Sequence, residues 1–220
     1  MFNFTIDSEL TCKASGNGSF IAKKGAMIAY TGDFKFEKLI LGPDNGKGLM
    51  GALLGHAVRS LTGENIPLMN VTGSGDIYLA RNAYHVSVLT LESGDSLSVE
   101  SENLLAFSGE LKYTVRFLGI GVLSQKGLAT TLLTNESNSP QQVAIITDGN
   151  CIMLQTPCTV DPDALVCWTG SDPAIITDTS WKTFIGQSSG ESYQFRFHSN
   201  GDMVVIQPSE RLSGLKVSID

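Results

Sequence analysis

The sequence predicts an all-β protein assembled from internal repeats, with one inserted amphipathic helix. A short phrase of apolar residues, an aromatic, a hydroxyl residue and glycine occurs three times, as MIAYTG from Met27, LLAFSG from Leu104 and LVCWTG from Leu165. Glycine is frequent, at 23 residues, and β-branched and aromatic residues run along the whole chain. Such a composition is typical of many short strands joined by tight turns.

The three copies of the phrase also share their flanking sequence. In each copy an alternating segment and a polar turn precede the apolar run, and the final glycine lies thirteen positions after the first residue of the copy. The copies are SFIAKKGAMIAYTG from Ser19, SLSVESENLLAFSG from Ser96 and PCTVDPDALVCWTG from Pro157. Two strands around a polar turn predict one hairpin per copy, with Tyr30, Phe107 and Trp168 as equivalent core residues. The matching flanks indicate a duplication.

A second phrase predicts a returning strand in each repeat. It reads GDIYLAR at 75–81, GVLSQKG at 121–127 and GDMVVIQP at 201–208, which is typical of a strand that begins at a glycine turn. A further hairpin is predicted in residues 85–99, around Ser93, Gly94 and Asp95. We therefore expect one compact unit over residues 1–220. Its three β repeats lie at approximately 1–84, 85–134 and 135–220.

The first repeat carries the predicted helix, at residues 47–61. Apolar residues recur there at spacings of three and four, which forms one stripe on a helix. The stripe consists of Leu49, Met50, Leu53, Leu54, Ala57, Val58 and Leu61. Gly51 and Gly55 lie four residues apart and would allow another backbone to approach closely. We predict that the helix caps a β-core and that Gly51, Gly55 and Arg59 form a candidate interaction surface, with membrane association as the alternative.

Charge and hydropathy limit the classes of partner. The net charge of −7 comes from 22 acidic and 15 basic residues, which disfavours general nucleic-acid binding and attraction to anionic lipid. Charged residues make up only 17% of the chain, so we expect partner subunits to cover some surface. The sequence contains no secretory signal and no apolar segment of transmembrane length. These features predict a cytoplasmic protein without a transmembrane segment.

Motifs for catalysis, metals and cofactors are absent from the sequence. The loop GPDNGKG at 42–48 resembles a phosphate-binding loop, but it has the wrong glycine spacing and lacks the final hydroxyl. The three histidines lie far apart, the four cysteines form no CxxC pair, and no GxSxG elbow occurs. Cys167 lies within an apolar run, which predicts a buried and inert thiol. We expect no enzyme activity, no metal and no cofactor.

Several segments, in order along the chain, resemble one known family. They are GAMIAYTG from Gly25, RSLTGENIPLMN from Arg59, GDIYLA from Gly75, LLAFSG from Leu104 and GDMVVIQPSER from Gly201. Over about residues 5–211 the chain resembles the altered-inheritance-of-mitochondria protein 24 family. The resemblance implies a fold similar to the tryptophan RNA-binding attenuation protein, with β-sandwich units of the double-stranded β-helix type. Bacterial members of the family are soluble proteins of unassigned function, and mitochondrial relatives are linked to inner-membrane organisation.

Two functional hypotheses remain open at the level of sequence. The first is a non-enzymatic binding or scaffolding module that self-associates as a homo-oligomer, with other protein partners possible. The alternative is a module that binds a small ligand or, against the acidic charge, RNA, as the attenuation protein does. No motif in the chain matches the ligand-binding residues of that protein, and a shared fold does not establish a shared function.

Overall fold

The fold, seen in a computed structural model, consists of antiparallel β-sheets. The structure describes residues 1–39, 68–118, 128–177 and 193–210, and these ranges contain strands, turns and bends but no helix. The strands are β1 (Phe2–Ser8), β2 (Thr11–Lys23), β3 (Met27–Leu39), β4 (Leu68–Leu79), β5 (His85–Leu91), β6 (Ser96–Glu100), β7 (Leu104–Ser108), β8 (Lys112–Leu118), β9 (Leu128–Thr134), β10 (Gln141–Thr147), β11 (Ile152–Gln155), β12 (Cys158–Val160), β13 (Leu165–Trp168), β14 (Ala174–Thr177), β15 (Tyr193–Phe197) and β16 (Met203–Ile206). The all-β prediction is confirmed for this part of the chain, whereas the predicted helix at 47–61 lies outside it.

The strands form three sheets, which we call the large, middle and small sheets. The large sheet has seven strands in the order β3-β4-β2-β7-β10-β5, with β1 also paired to β2. The middle sheet has the order β11-β16-β13-β6-β9-β8, and the small sheet has the order β12-β15-β14. Sequence neighbours are often not sheet neighbours, so much of the fold depends on long-range pairing.

Three hydrophobic cores alternate with the sheets. The first core lies on one face of the large sheet and includes Phe2, Phe4 and Phe20. The second lies between the large and middle sheets, where Phe107 packs in the same cluster as Cys167. The third joins the middle sheet to the small sheet and contains the side chains of Leu165, Trp168, Val204, Val160, Phe195 and Phe197. The middle sheet therefore has a core on each face.

The central strands β7 and β13 are buried on both faces. All five residues of β7 and all four residues of β13 are buried. The apolar side chains of β7 lie in the first and second cores, and those of β13 lie in the second and third cores. A strand covered on both faces needs an unbroken apolar run. This requirement explains why LLAF and LVCW are continuous apolar sequences.

The predicted hairpins are wrong. In the first copy, β4 lies between β2 and β3 and pairs with both. In the second and third copies, the two strands on either side of the turn belong to different sheets, since β6 and β13 lie in the middle sheet, β7 in the large sheet and β12 in the small sheet. The hairpin predicted at residues 85–99 fails similarly, because β5 and β6 also lie in different sheets. Each polar turn therefore connects two strands that do not pair with each other.

One of the three predicted returning strands, the one after Gly201, is confirmed. The strand predicted to start at Gly75 exists, but it begins at Leu68 and contains this glycine. The segment that follows Gly75 lies in β4 and pairs antiparallel with β3. The segment that follows Gly201 contains β16, which pairs antiparallel with β13. The phrase at 121–127 lies outside the described residues. In the first and last copies, a strand of the repeated phrase therefore pairs with a strand downstream of it.

Candidate interaction surface

The strand β3 forms one edge of the large sheet. It is thirteen residues long and is strongly bent, because the rings of Tyr30 and Phe36, six positions apart, lie only 5.7 Å from each other. Its backbone pairs with β4 from Met27 to Leu39, and within the described residues no strand pairs with its other side. Long exposed edges present unpaired N–H and C=O groups to other chains.

The two faces of β3 differ in chemistry. Tyr30, Phe34 and Phe36 lie on one face, where their cross-strand partners on β4 include Ile77 and Val71. We call these three side chains the aromatic row. The opposite face carries Thr31, Asp33, Lys35 and Glu37, whose partners on β4 are Asp76, Ser74, Thr72 and Asn70. One face of the edge strand is therefore aromatic, and the other is polar and charged.

The aromatic row connects the surface to the first core. Tyr30 contacts Phe34 and Phe36 at centroid distances of 5.5 and 5.7 Å. Phe34 in turn lies 5.9 Å from Phe2, whose ring contacts the buried Phe20 at 5.0 Å. Aromatic pairs at these separations stabilise beyond simple burial. The row is thus supported from beneath by rings of the core.

The contact between Phe2 and Phe34 requires a strongly curled sheet. These residues belong to β1 and β3, and β2 and β4 lie between the two strands. Three strand spacings would separate the rings by about 14 Å in a flat sheet. The measured centroid distance is only 5.9 Å. The first four strands therefore wrap around the first core.

A row of glycines accompanies this curl. Gly16, Gly75 and Gly32 lie side by side on β2, β4 and β3, with φ angles of +143°, +134° and +114°. A Cβ atom at Gly75 would lie 2.0 Å from the carbonyl oxygen of Thr31. The backbones approach too closely for a side chain, and glycine also permits these φ angles at little cost.

The exposure of Tyr30 corrects the prediction that the three repeated aromatics are equivalent core residues. Phe107 and Trp168 are 0% exposed, as predicted, but Tyr30 is 45% exposed. The difference follows from strand position, because β7 and β13 are central strands and β3 is an edge strand. The indole N–H of Trp168 has no hydrogen-bond acceptor among the described residues.

The charges on the polar face of β3 alternate in sign. Asp33, Lys35 and Glu37 occupy successive positions of that face, and the Lys35 Nζ lies 2.7 Å from a carboxylate oxygen of Glu37. This hydrogen-bonded ion pair raises the pKa of Lys35 and lowers the pKa of Glu37. The pair is exposed, so it remains available to a partner and is worth little to the stability of the monomer.

A shallow cleft adjoins the beginning of β3. Its volume is about 440 Å³, and it is lined by Gly25, Ile28, Ala80, Arg81, Asn82 and Ala83. Ile28 lies at a register shift between β3 and β4 and is 59% exposed. Asn82 and Ala83 both have positive φ angles, of 49° and 56°, in a turn closed by a hydrogen bond from Tyr84 N to Arg81 O. Ile28 therefore adds an exposed apolar side chain to β3, two positions before Tyr30.

A second cleft contains the most reactive residue types of the described chain. It has a volume of about 260 Å³ and is lined by Ile6, Glu9, His85, Val86, Ser87, Asn150 and Cys151. The hydroxyl of Ser87 lies 3.8 Å from the Cys151 sulfur. No group of three or more potential metal ligands occurs within the described ranges. The cleft does not assemble a recognisable catalytic or metal-binding constellation.

Two of the four cysteines, Cys12 and Cys167, behave as packing residues. All four are free, and Cys12 and Cys167 are buried, as predicted for Cys167. Burial raises the pKa of the Cys12 thiol to about 12 and also raises that of Cys167. Because the thiolate is the reactive form, these two side chains are poor nucleophiles.

The interaction surface predicted from the sequence is not the edge of β3. Gly51, Gly55 and Arg59, predicted as a candidate interaction surface, lie outside the described residues. The edge of β3 was missed because MIAYTG was grouped with two phrases that form central strands. The alternation FKFE from Phe34 to Glu37 was the available signal, since an aromatic face opposite a charged face is typical of a strand covered on one side.

The fold and the surface define a class of layered, all-β protein that presents a long edge strand with an aromatic face. Within that class, the chain belongs to the family described as Mitochondrial biogenesis AIM24, whose model matches residues 4–209. A crystal structure of a Streptococcus pyogenes protein, solved as a structural genomics target, is similar with a TM-score of 0.65 and 18% sequence identity. The match covers 96% of this chain and 94% of the streptococcal chain.

The streptococcal structure supports the fold alone, because the identity is low. No curated protein matches the chain. A search of the described ranges finds no helix with both the length and the apolar character needed to cross a bilayer.

Proposed function

We propose that this protein is a non-enzymatic scaffolding module that acts by self-association. The observation that carries the proposal is the edge of β3 that pairs with no other described strand. There a strand of thirteen residues presents a half-exposed tyrosine and further aromatic side chains. A surface of this kind is an interaction site unless charge or covering structure blocks it. Both signs of charge occur on β3, so the strand carries no excess of one charge that would repel a second copy in every register.

Within the described residues, no side chains form a recognisable catalytic or metal-binding site, which supports a role without catalysis. The histidine, serine and cysteine of the second cleft share a surface but form no catalytic triad geometry. The cysteines Cys12 and Cys167 have raised pKa values, which opposes a thiolate function. A scaffold needs no cofactor, and a cytoplasmic location agrees with four free cysteines.

Self-association is tested by sedimentation velocity over a wide range of protein concentration. A sedimentation coefficient that rises with concentration towards an oligomer supports the proposal. A monomer at every concentration, including the highest that remains soluble, refutes it. The streptococcal protein, measured in parallel, tells whether association extends to a protein of the same fold.

A small-ligand module is the second candidate, favoured by the cleft beside Ile28. Two consecutive residues there, Asn82 and Ala83, have left-handed backbone conformations, and such conformations often occur at binding sites. A thermal-shift screen against metabolites and nucleotides tests this role, since a ligand that binds the folded state raises the melting temperature. RNA is a weaker candidate because the net charge is −7.

We also infer that the chain is a single unit of three related repeats, of the double-stranded β-helix type. Support comes from the first and last repeats, where β3 pairs with β4 and β13 pairs with β16. The downstream strand β16 follows a glycine with positive φ, Gly201, whereas β4 contains one, Gly75. One cooperative unfolding transition by two different probes is expected for a single unit, whereas separate transitions would indicate independent domains.

A further inference from the structure

We propose that a second copy of this chain binds to the edge of β3 that no other described strand covers, with the two β3 strands antiparallel and Asp33 of each copy opposite Lys35 of the other. This inference rests on the proposed self-association and names the surface and register through which it occurs. The resulting contact would join the two large sheets into one continuous sheet. Addition of a strand to an open edge is a common mode of recognition.

The symmetry of such a dimer restricts the possible registers. Homodimers usually have a twofold axis, and the same surface is then used by both copies. Two copies of one edge strand become antiparallel when the axis is perpendicular to the sheet. This axis keeps the aromatic face of both copies on the same side, so that the two aromatic rows lie next to each other. Opposite residues then share a face, and each register is centred on one residue of β3.

The alternating charges distinguish between these registers. A register centred on Lys35 places this lysine opposite itself and Asp33 opposite Glu37, so every facing pair has like charges. A register centred on Asp33 or Glu37 also places a carboxylate opposite itself. Like charges directly opposite each other destabilise a sheet, whereas opposite charges stabilise it. All three of these registers are therefore disfavoured.

A register centred on Phe34 gives complementary charges. It places Asp33 opposite Lys35 twice, and it pairs residues 29–39 of each copy, all within the described strand. The register centred on Phe36 also gives complementary charges, between Lys35 and Glu37, but it pairs only residues 33–39 of β3. The Phe34 register uses more backbone hydrogen bonds and is the one we propose.

In the Phe34 register, side chains of the second copy also lie opposite exposed residues of β3. Gly32 faces Phe36 of the other copy, and an aromatic side chain across from a strand glycine stabilises the pair. Tyr30, which is 45% exposed, faces Lys38, a geometry in which a cation can lie over the ring. Because the charge pattern of β3 is complementary to itself, a second copy is a better occupant than an unrelated strand.

Charge exchange within β3 tests this register. Lys35→Glu alone places two carboxylates opposite each other at each contact, and Asp33→Lys alone places two ammonium groups opposite each other. We expect each single variant to weaken dimerisation about tenfold or more, and the double variant Asp33→Lys/Lys35→Glu to restore it. An equimolar mixture of the two single variants should form a heterodimer, because all four charges are then complementary. Lys112→Glu, on a different edge strand, is the control that should leave association unchanged.

These measurements distinguish self-association in general from the specific β3 register. A wild-type protein that remains monomeric refutes self-association, and this inference with it. A wild-type oligomer that neither single variant weakens overturns the β3 register while self-association stands. Thermal unfolding of each variant identifies any loss of association that comes from misfolding, and recovery in the mixture of single variants would exclude that explanation.

Disulfide cross-linking gives an independent measure of register. The variants Asp33→Cys and Lys35→Cys are prepared in a background with Cys151→Ser and Cys158→Ser. Oxidation of their mixture is expected to give much more covalent dimer than oxidation of either variant alone. A faster reaction between Lys35→Cys and Glu37→Cys would show the Phe36 register and overturn the one proposed.

Discussion

The glycine row of the curled sheet leads to a specific prediction for Gly75→Ala. The added Cβ would lie 2.0 Å from the Thr31 carbonyl oxygen and 3.0 Å from Gly32 Cα, and alanine would have to adopt a φ of +134°. The conformational strain costs about 1–2 kcal/mol, and overpacking against backbone adds about 1–3 kcal/mol. We therefore expect Gly75→Ala to lower the free energy of unfolding by about 2–5 kcal/mol.

Two neighbouring glycines separate these contributions. Gly18 has a φ of +112°, but no atom lies within 4 Å of a Cβ built there. Gly73 has no positive φ, but a Cβ would lie 2.1 Å from the Asp33 carbonyl oxygen. Gly18→Ala should thus report conformational strain alone, at about 1–2 kcal/mol. Gly73→Ala should report the close approach alone, at about 1–3 kcal/mol.

Urea unfolding, followed by circular dichroism, measures these differences for all three variants. The expected order is Gly75→Ala as the most destabilised, with the other two closer to wild type. An equal loss for Gly75→Ala and Gly18→Ala would refute the argument that close strand approach requires glycine at position 75. Gly94→Ala, in a turn where a Cβ meets no atom within 4 Å, is a control outside the curled strands.

Three substitutions and one thiol-reactivity measurement test other parts of the structure. Asn135→Ala removes a fully buried amide that donates hydrogen bonds to Leu91 O and Ser139 O. The free energy of unfolding, measured by urea titration, should therefore fall by about 2–4 kcal/mol. A loss below about 1 kcal/mol would contradict this role. Ala83→Gly should stabilise by about 0.5–1 kcal/mol in the same assay, because it relieves a left-handed alanine, and a destabilised variant would contradict this. The buried Cys12 thiol should react with a thiol reagent only as fast as the chain unfolds, and rapid reaction of the native protein would refute its burial. Asp76→Asn removes a carboxylate whose contribution to the free energy of unfolding should depend on pH.

The pH dependence follows from the direction of the Asp76 pKa. Hydrogen bonds from Lys13 and Ser15 lower the pKa of this carboxyl in the folded state. The ionised carboxylate therefore stabilises the fold above its unfolded pKa, and the contribution is lost as the pH falls through the lower, folded pKa. The stability difference between wild type and Asp76→Asn should shrink over that acidic window. A difference that stays constant down to strong acid would contradict the assignment.

The fold class was accessible from the sequence because it depends on local pattern. Buried central strands need apolar runs, and LLAF and LVCW are such runs. Strand pairing was not accessible, since Lys23, Lys24 and Gly25 form the same kind of polar turn whether the chain returns to a neighbouring strand or passes beyond it. The pairing depends on contacts between distant residues, such as Phe20 with Ser108, which no local pattern encodes.

The candidate surface was only partly predictable. The alternation of aromatic and charged residues from Phe34 to Glu37 is visible in the sequence, and it indicates a strand with unlike faces. That this strand lies at an edge follows only from the position of β4 between β2 and β3. The role of Asn135 was likewise hidden, because a buried asparagine that organises a loop and an exposed loop asparagine have the same local sequence.

The pairing order has a consequence for synthesis of the chain. All strands of the large sheet have been made once Thr147 is complete, but the middle sheet still lacks β11, β13 and β16 at that stage. Phe107 depends on these late strands for cover, because Val166, Cys167 and Val205 belong to the same core. A nascent chain therefore exposes an apolar face for about the last third of translation. That face is where ribosome-associated chaperones would be expected to bind.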